Sequence, residues 1–132
     1  MLVHFPIACW SLATMGDLAY LLLGMQIWWM AGLLMAIGVI SAMAAMIAGL
    51  IDFAKIEDEN PAMHLANWHM RFVMMSWSLY ATSLFLRLSN SHFTPPSNFA
   101  VALSILGFIV LSVAGWLGAK LAYEHGIGVA KR

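Results

Sequence analysis

Residues 52–71 read DFAKIEDENPAMHLANWHMR, the longest polar passage in a 132-residue chain that is otherwise 63% hydrophobic and only 9% charged. Four of the six acidic residues and two of the five histidines fall inside it. Apolar residues run on from both of its ends for the length of a membrane-spanning helix, so its reading decides how many spans the chain has. Asn60-Pro61 at its centre marks a helix start: a side chain able to cap, then the residue whose missing N–H costs nothing in a first turn. The passage therefore divides into the last turns of one helix, a short solvated acidic turn from Lys55 to Asn60, and the first turns of the next helix.

Working outward, a hydrocarbon core of about 30 Å needs roughly 20 predominantly apolar helical residues. Four stretches qualify, at approximately 5–23, 27–53, 61–88 and 95–124. Pro6 sits in the first turn of the first, which puts His4 at or beside its N-cap. Gly24-Met25-Gln26 turns the chain, and Trp28 and Trp29 follow as interface anchors. Thr94-Pro95-Pro96 opens the fourth helix, and Gly126, a residue able to take the left-handed conformation, closes it. Connections this short join antiparallel neighbours. The expected fold is all-α, a single integral membrane domain folded as an up-down-up-down four-helix bundle.

Composition agrees, because a chain of this size cannot hide so much apolar surface from water. Its first partner is the lipid bilayer. A zero formal net charge leaves no basic face for nucleic acid. The lone Cys9 excludes an internal disulfide and a multi-cysteine metal site. The segment at Leu2 has no basic region ahead of it and no cleavage site after it, so the first helix is expected to be retained. Nucleophile elbow, paired carboxylates in a pocket and phosphate-binding glycine loop are all missing, and an enzyme in its own right is not expected.

The topology sorts the polar residues by side. His4, His64, His69 and His125 collect at one end with Asp52, Glu57, Asp58, Glu59 and Glu124, leaving Asp17, Arg87 and His92 at the other. Lys55, Lys120, Lys131 and Arg132 share the histidine-rich end, with Arg71 a few turns in. The positive-inside rule makes that end, with both termini, cytoplasmic.

At 100° per residue, Gly38, Ser41, Ala45, Ala48, Gly49 and Asp52 form a slim stripe on the second helix, and Gly107, Leu111, Ala114, Gly118, Leu121 and His125 form another on the fourth. Small residues let membrane helices approach closely, and they also leave room for a flat cofactor. On the third helix His69, Phe72, Val73, Ser76, Tyr80, Ser83 and Arg87 share the most polar face in the chain, which should point inward. The 11 methionines and six tryptophans read as core and lipid-facing filler. A single Met-x-x-Met spacing, Met43 to Met46, gives little support to copper transport.

Certain of these features resemble a family. LVHFPIA at 2–8, Asp17 late in the first helix, GLID at 49–52, His69 with Arg87 18 residues later, and GWLGAKLAYEHGIGV at 115–129 resemble the bacterial membrane family called domain of unknown function 2231, over essentially the whole chain. The resemblance implies a bacterial inner-membrane protein. Relatives fused to Rieske-type or cytochrome-type domains imply redox chemistry. Members commonly carry a further His-Pro ahead of the HFP motif; this sequence lacks it, and His64 could supply an equivalent.

Histidines from three helices at one membrane end, His4, His69 and His125, are the candidate metal ligands, since neutral imidazole binds transition metals and haem iron and bundles hold cofactors from facing helices. Asp52 could orient one imidazole, and Arg71, Lys55 and Lys120 could meet haem propionates. His64 and His69, five apart, diverge by about 140°, so His64 belongs near the surface or to a second site. Asp17 and Arg87 are expected to pair as a structural clasp between the first and third helices. The leading expectation is thus a small haem b-binding electron-transfer module or redox-complex subunit, its iron held by two of His4, His69 and His125. The alternatives are a non-haem metal site joined by Asp52 or Glu124, and a non-catalytic membrane subunit or anchor, with homo-oligomers open to all three. Transport ranks last, its nearest approach being the polar face from His69 to Arg87.

Overall fold

A computed structural model describes residues 2–57, 59–89 and 92–127. Asp58, Lys131, Arg132 and the Gly128-Val129 end of the closing motif lie outside them. Four helices form: α1 His4–Leu23, α2 Trp28–Phe53, α3 Ala62–Phe85 and α4 Asn98–His125. The glycines placed by sequence act as stops, Gly24 at φ 66° after α1 and Gly126 at φ 63° after α4, a left-handed turn that a side chain would resist. The Asn60 side chain accepts from the Ala62 N–H at 2.9 Å, tying off one of the orphan donors at the start of α3.

The neighbours are antiparallel. Gly38 on α2 faces Cys9 and Trp10 on α1, and Ala31 faces Gly16. His69 on α3 meets Ala114 and Gly118 on α4, Ser76 meets Gly107, and Ser83 meets Ala100. The two hairpins close on each other through Trp10, Met35, Tyr80 and Leu111 at the centre, with Ala62, Ala66 and Leu121 forming a smaller cluster toward the histidine-rich end. Three helices, α1, α2 and α4, are long and apolar enough to cross a membrane. α3 is as long but richer in hydroxyls and imidazoles, and it packs along α4 through its polar face.

The third connection departs from expectation. α3 stops at Phe85 rather than continuing to 88, and Leu88–Ser89 (β1) pairs antiparallel with His92–Phe93 (β2). Thr94 does not cap α4. Its N–H and hydroxyl both bond the Arg87 carbonyl, at 2.8 and 3.1 Å, and close the hairpin. Ser97 caps α4 instead, accepting from Ala100 N–H at 3.2 Å, because two prolines hold the chain extended until after Pro96. His92 is therefore a strand residue, and Phe93 folds back over Gly32 at the start of α2.

Candidate functional site

Three glycines of the small-residue stripes, Gly38, Gly107 and Gly118, are each covered by a ring from a neighbouring helix. A Cβ on Gly38 would stand 2.5 Å from the Trp10 indole, one on Gly107 would stand 3.0 Å from the Tyr80 ring, and one on Gly118 would stand 3.0 Å from His69. Trp10 and Tyr80 are themselves stacked, 4.7 Å between centroids and 9° between planes. The room that glycine leaves inside this bundle is thus spent on the protein's own aromatic side chains. Gly49 and Gly115 face open space.

Of the four histidines at the common end, only His69 is partly buried; His4, His64 and His125 are exposed. His69 Nδ1 lies 2.9 Å from the Ala114 carbonyl. A carbonyl only accepts, so Nδ1 carries the proton and Nε2 is the lone-pair nitrogen of the neutral ring. His64 Nε2 accepts from Trp68 Nε1 at 3.2 Å on the outer surface. Tyr80 bonds both Thr14 and the Trp10 carbonyl, so α1 and α3 run parallel in register, and His4 comes to within about one turn of the depth of His69. His125 does not: it is seven residues beyond Gly118, the residue on which His69 packs, about 10 Å further along the axis. Among the described residues no three His, Cys, Asp or Glu side chains come together as a metal-holding group.

The supporting residues also differ from expectation. Asp52 is exposed and pairs with Lys55 at 2.9 Å; the Ala114 carbonyl, not a carboxylate, orients the one partly buried imidazole. Arg71 is two residues from His69, 200° round the helix, and its guanidinium lies over the outward-facing Trp68 ring at 5.2 Å. It is turned away from the edge that His69 presents.

At the opposite end Asp17 and Arg87, 0% and 1% exposed, form a two-pronged pair, Nη1 to Oδ1 at 2.5 Å and Nη2 to Oδ2 at 2.7 Å. Ser104 Oγ donates to Asp17 Oδ2 at 2.5 Å, and Arg87 Nη2 also donates to Ser83 Oγ at 3.1 Å, so α4 joins the clasp between α1 and α3. Tyr80 and Thr14 extend it: their hydroxyls are 2.8 Å apart, and Thr14 donates to the Ser104 carbonyl at 3.3 Å. Ser104 was absent from the sequence expectation although a signal existed, since the Gly107, Leu111, Ala114 stripe continues back three residues to it.

The sequence model of a family described as predicted membrane protein (DUF2231) matches residues 1–131. No curated protein and no solved structure matches the chain.

Proposed function

The chain belongs to the DUF2231 family of predicted membrane proteins, and from that premise we propose that it is a small redox subunit of the bacterial inner membrane which uses His69 as a haem ligand at the membrane boundary. One observation carries this: the Nδ1–H of His69 is spent on the Ala114 carbonyl, the bond that metal-ligating histidines commonly make, which fixes the ring and makes Nε2 a better donor. The donor chemistry fits haem iron; the interior does not offer a slot, because its glycine notches already hold Trp10, Tyr80 and His69. The group would be held at the edge of the bundle, with His4, the histidine nearest in depth, as the second ligand. When bound it would supply one-electron transfer. The chain's own part is to hold the imidazole in one tautomer and orientation, and to carry Lys55, Arg71 and Lys120 at the end we assign to the cytoplasm.

The purified protein, expressed with ample haem, is expected to show a Soret band that shifts on reduction. His69→Ala should abolish it while leaving the helical circular dichroism intact. Bound metal without porphyrin absorption would favour a non-haem site instead. A spectrum with no Soret band, even after adding haemin, would sink the haem reading and leave a second one, a non-catalytic membrane subunit. The filled notches favour that second reading, since they make the bundle complete without a cofactor.

A further inference from the structure

Three side chains of α3 reach across to main-chain carbonyls of α4. His69 Nδ1 donates to Ala114 at 2.9 Å, Ser76 Oγ to Gly107 at 3.1 Å and Ser83 Oγ to Ala100 at 2.6 Å. The donors stand seven residues apart along α3, and the acceptors stand seven apart along α4. Two helices that meet at every seventh residue keep the same faces together as they wind around each other, so the three bonds are rungs of one ladder. His69 is the last rung at the histidine-rich end, and its depth is set by the whole α3–α4 contact.

That rung differs from the other two. A helical carbonyl is flanked by the residue four positions on, whose N–H it accepts and whose Cβ leans back over it. Four positions beyond Gly107 is Leu111, and four beyond Ala100 is Ser104; a seryl hydroxyl is slim enough to pass either. An imidazole is a flat ring, and four positions beyond Ala114 is Gly118. A Cβ there would stand 3.0 Å from His69 Cε1, 3.4 Å from Nδ1 and 3.8 Å from Nε2. Carbon atoms prefer about 3.5–4.0 Å, so the ring would have to withdraw from the Ala114 carbonyl. The other ring nitrogen is open. Nε2 has no hydrogen-bond partner among the described residues, and it is not one of their buried unpaired atoms, which are Trp10 Nε1 and Arg87 Nε.

We infer that Gly118 is a positioning residue for the His69 site: by leaving the Ala114 carbonyl uncovered it holds the imidazole as the Nδ1–H tautomer and keeps the Nε2 lone pair available to a metal. An Nε2–H ring would present a proton in that place and could not ligate there without losing it. The inference rests on the reading of His69 as a donor to haem iron. It adds the residue that makes the ring such a donor.

The test is nitrogen nuclear magnetic resonance of the full chain, labelled at its histidine ring nitrogens and held in micelles at a pH above the imidazole titration. His69, assigned by its loss in His69→Gln, should show a protonated Nδ1 and a bare Nε2. Gly118→Ala should give a mixture of tautomers and weaken haemin binding about 10- to 100-fold, the usual cost of losing the group that orients a metal-bound histidine. Gly115→Ala adds the same methyl where nothing lies within 4 Å, and it should change neither readout. Resistance to dodecyl sulfate separates the ring contact from any other effect of the methyl: Gly118→Ala should be no less stable than its parent once His69 is alanine. A Gly118→Ala variant that keeps the pure Nδ1–H tautomer would overturn the proposal, and so would a wild type already protonated on Nε2 or an equal loss of stability in both backgrounds. A wild type that takes up no haemin would overturn the haem reading, while the tautomer comparison still decides what Gly118 does.

Discussion

Replacing Arg87 with Met is expected to cost about 3–5 kcal/mol of stability. The reason is what stays behind. Asp17 is fully buried, and without the guanidinium its carboxylate keeps, among the described residues, only the Ser104 hydroxyl as a side-chain donor. A lone carboxylate in such a place is too poorly solvated to stay ionised cheaply. Ser83 loses its Arg87 partner in the same step. Unfolding in detergent micelles, followed by far-ultraviolet circular dichroism during a titration with dodecyl sulfate, measures the loss. Asp17→Leu combined with Arg87→Met removes both charges, and it should recover most of what the single change takes away, since apolar replacement of a buried ion pair is often near neutral. A single-variant loss below about 1 kcal/mol would mean that the pair behaves as a surface contact and does not hold α1, α3 and α4 together.

Two glycine-to-alanine changes on the same helix should move stability in opposite directions. At Gly38 the new Cβ would stand 2.5 Å from Trp10 Cδ1 and Nε1 and 3.3 Å from Cys9 Cβ. The indole has nowhere to retreat: it is 3% exposed, stacked on Tyr80, and its Nε1 has no hydrogen-bond partner among the described residues, so packing alone holds it. Overpacking of this kind costs about 1–3 kcal/mol, and moving Trp10 also disturbs the Tyr80 hydroxyl and its bond to Thr14. Gly49→Ala meets nothing within 4 Å and should instead gain up to about 1 kcal/mol from helix propensity. The same titration compares them. Trp10→Ala should cost less in the Gly38→Ala background than in the wild type, because it removes the Cδ1 and Nε1 atoms that the new Cβ meets. If the two alanines proved equally tolerated, the indole would not be seated in the Gly38 notch.

Both predictions concern contacts between helices, and that is where the legibility of the sequence ends. Hydrophobic run length, Asn60-Pro61, Gly24 and Gly126 mark the four helices to within a few residues, because each is a local signal written in backbone preference. The exception is the segment from 86 to 97. There Pro95-Pro96 pointed to a helix start, but Ser97 was the residue with a free hydroxyl at the right place to cap it, and the two-residue β pairing depends on Thr94 finding the Arg87 carbonyl. Neither propensity nor period reports such a bond.

By itself, the sequence determined that this is a chain for a bilayer, that it folds as antiparallel helices, that four of its five histidines gather at one end, and that Asp17 and Arg87 have each other as the available partners. Those conclusions follow from composition, helix period and short connections, which act along the chain. Only the tertiary structure decided that Trp10, Tyr80 and His69 occupy the glycine notches, that Ser104 and Thr14 complete the buried network, that Ala114 fixes the tautomer of His69, and that His125 stands about 10 Å beyond it. A 100° period tells which face a residue is on. The depth at which two faces meet is set by how side chains from distant parts of the chain interlock, and that axial register separates His69 from His125 and seats the His69 ring on Gly118.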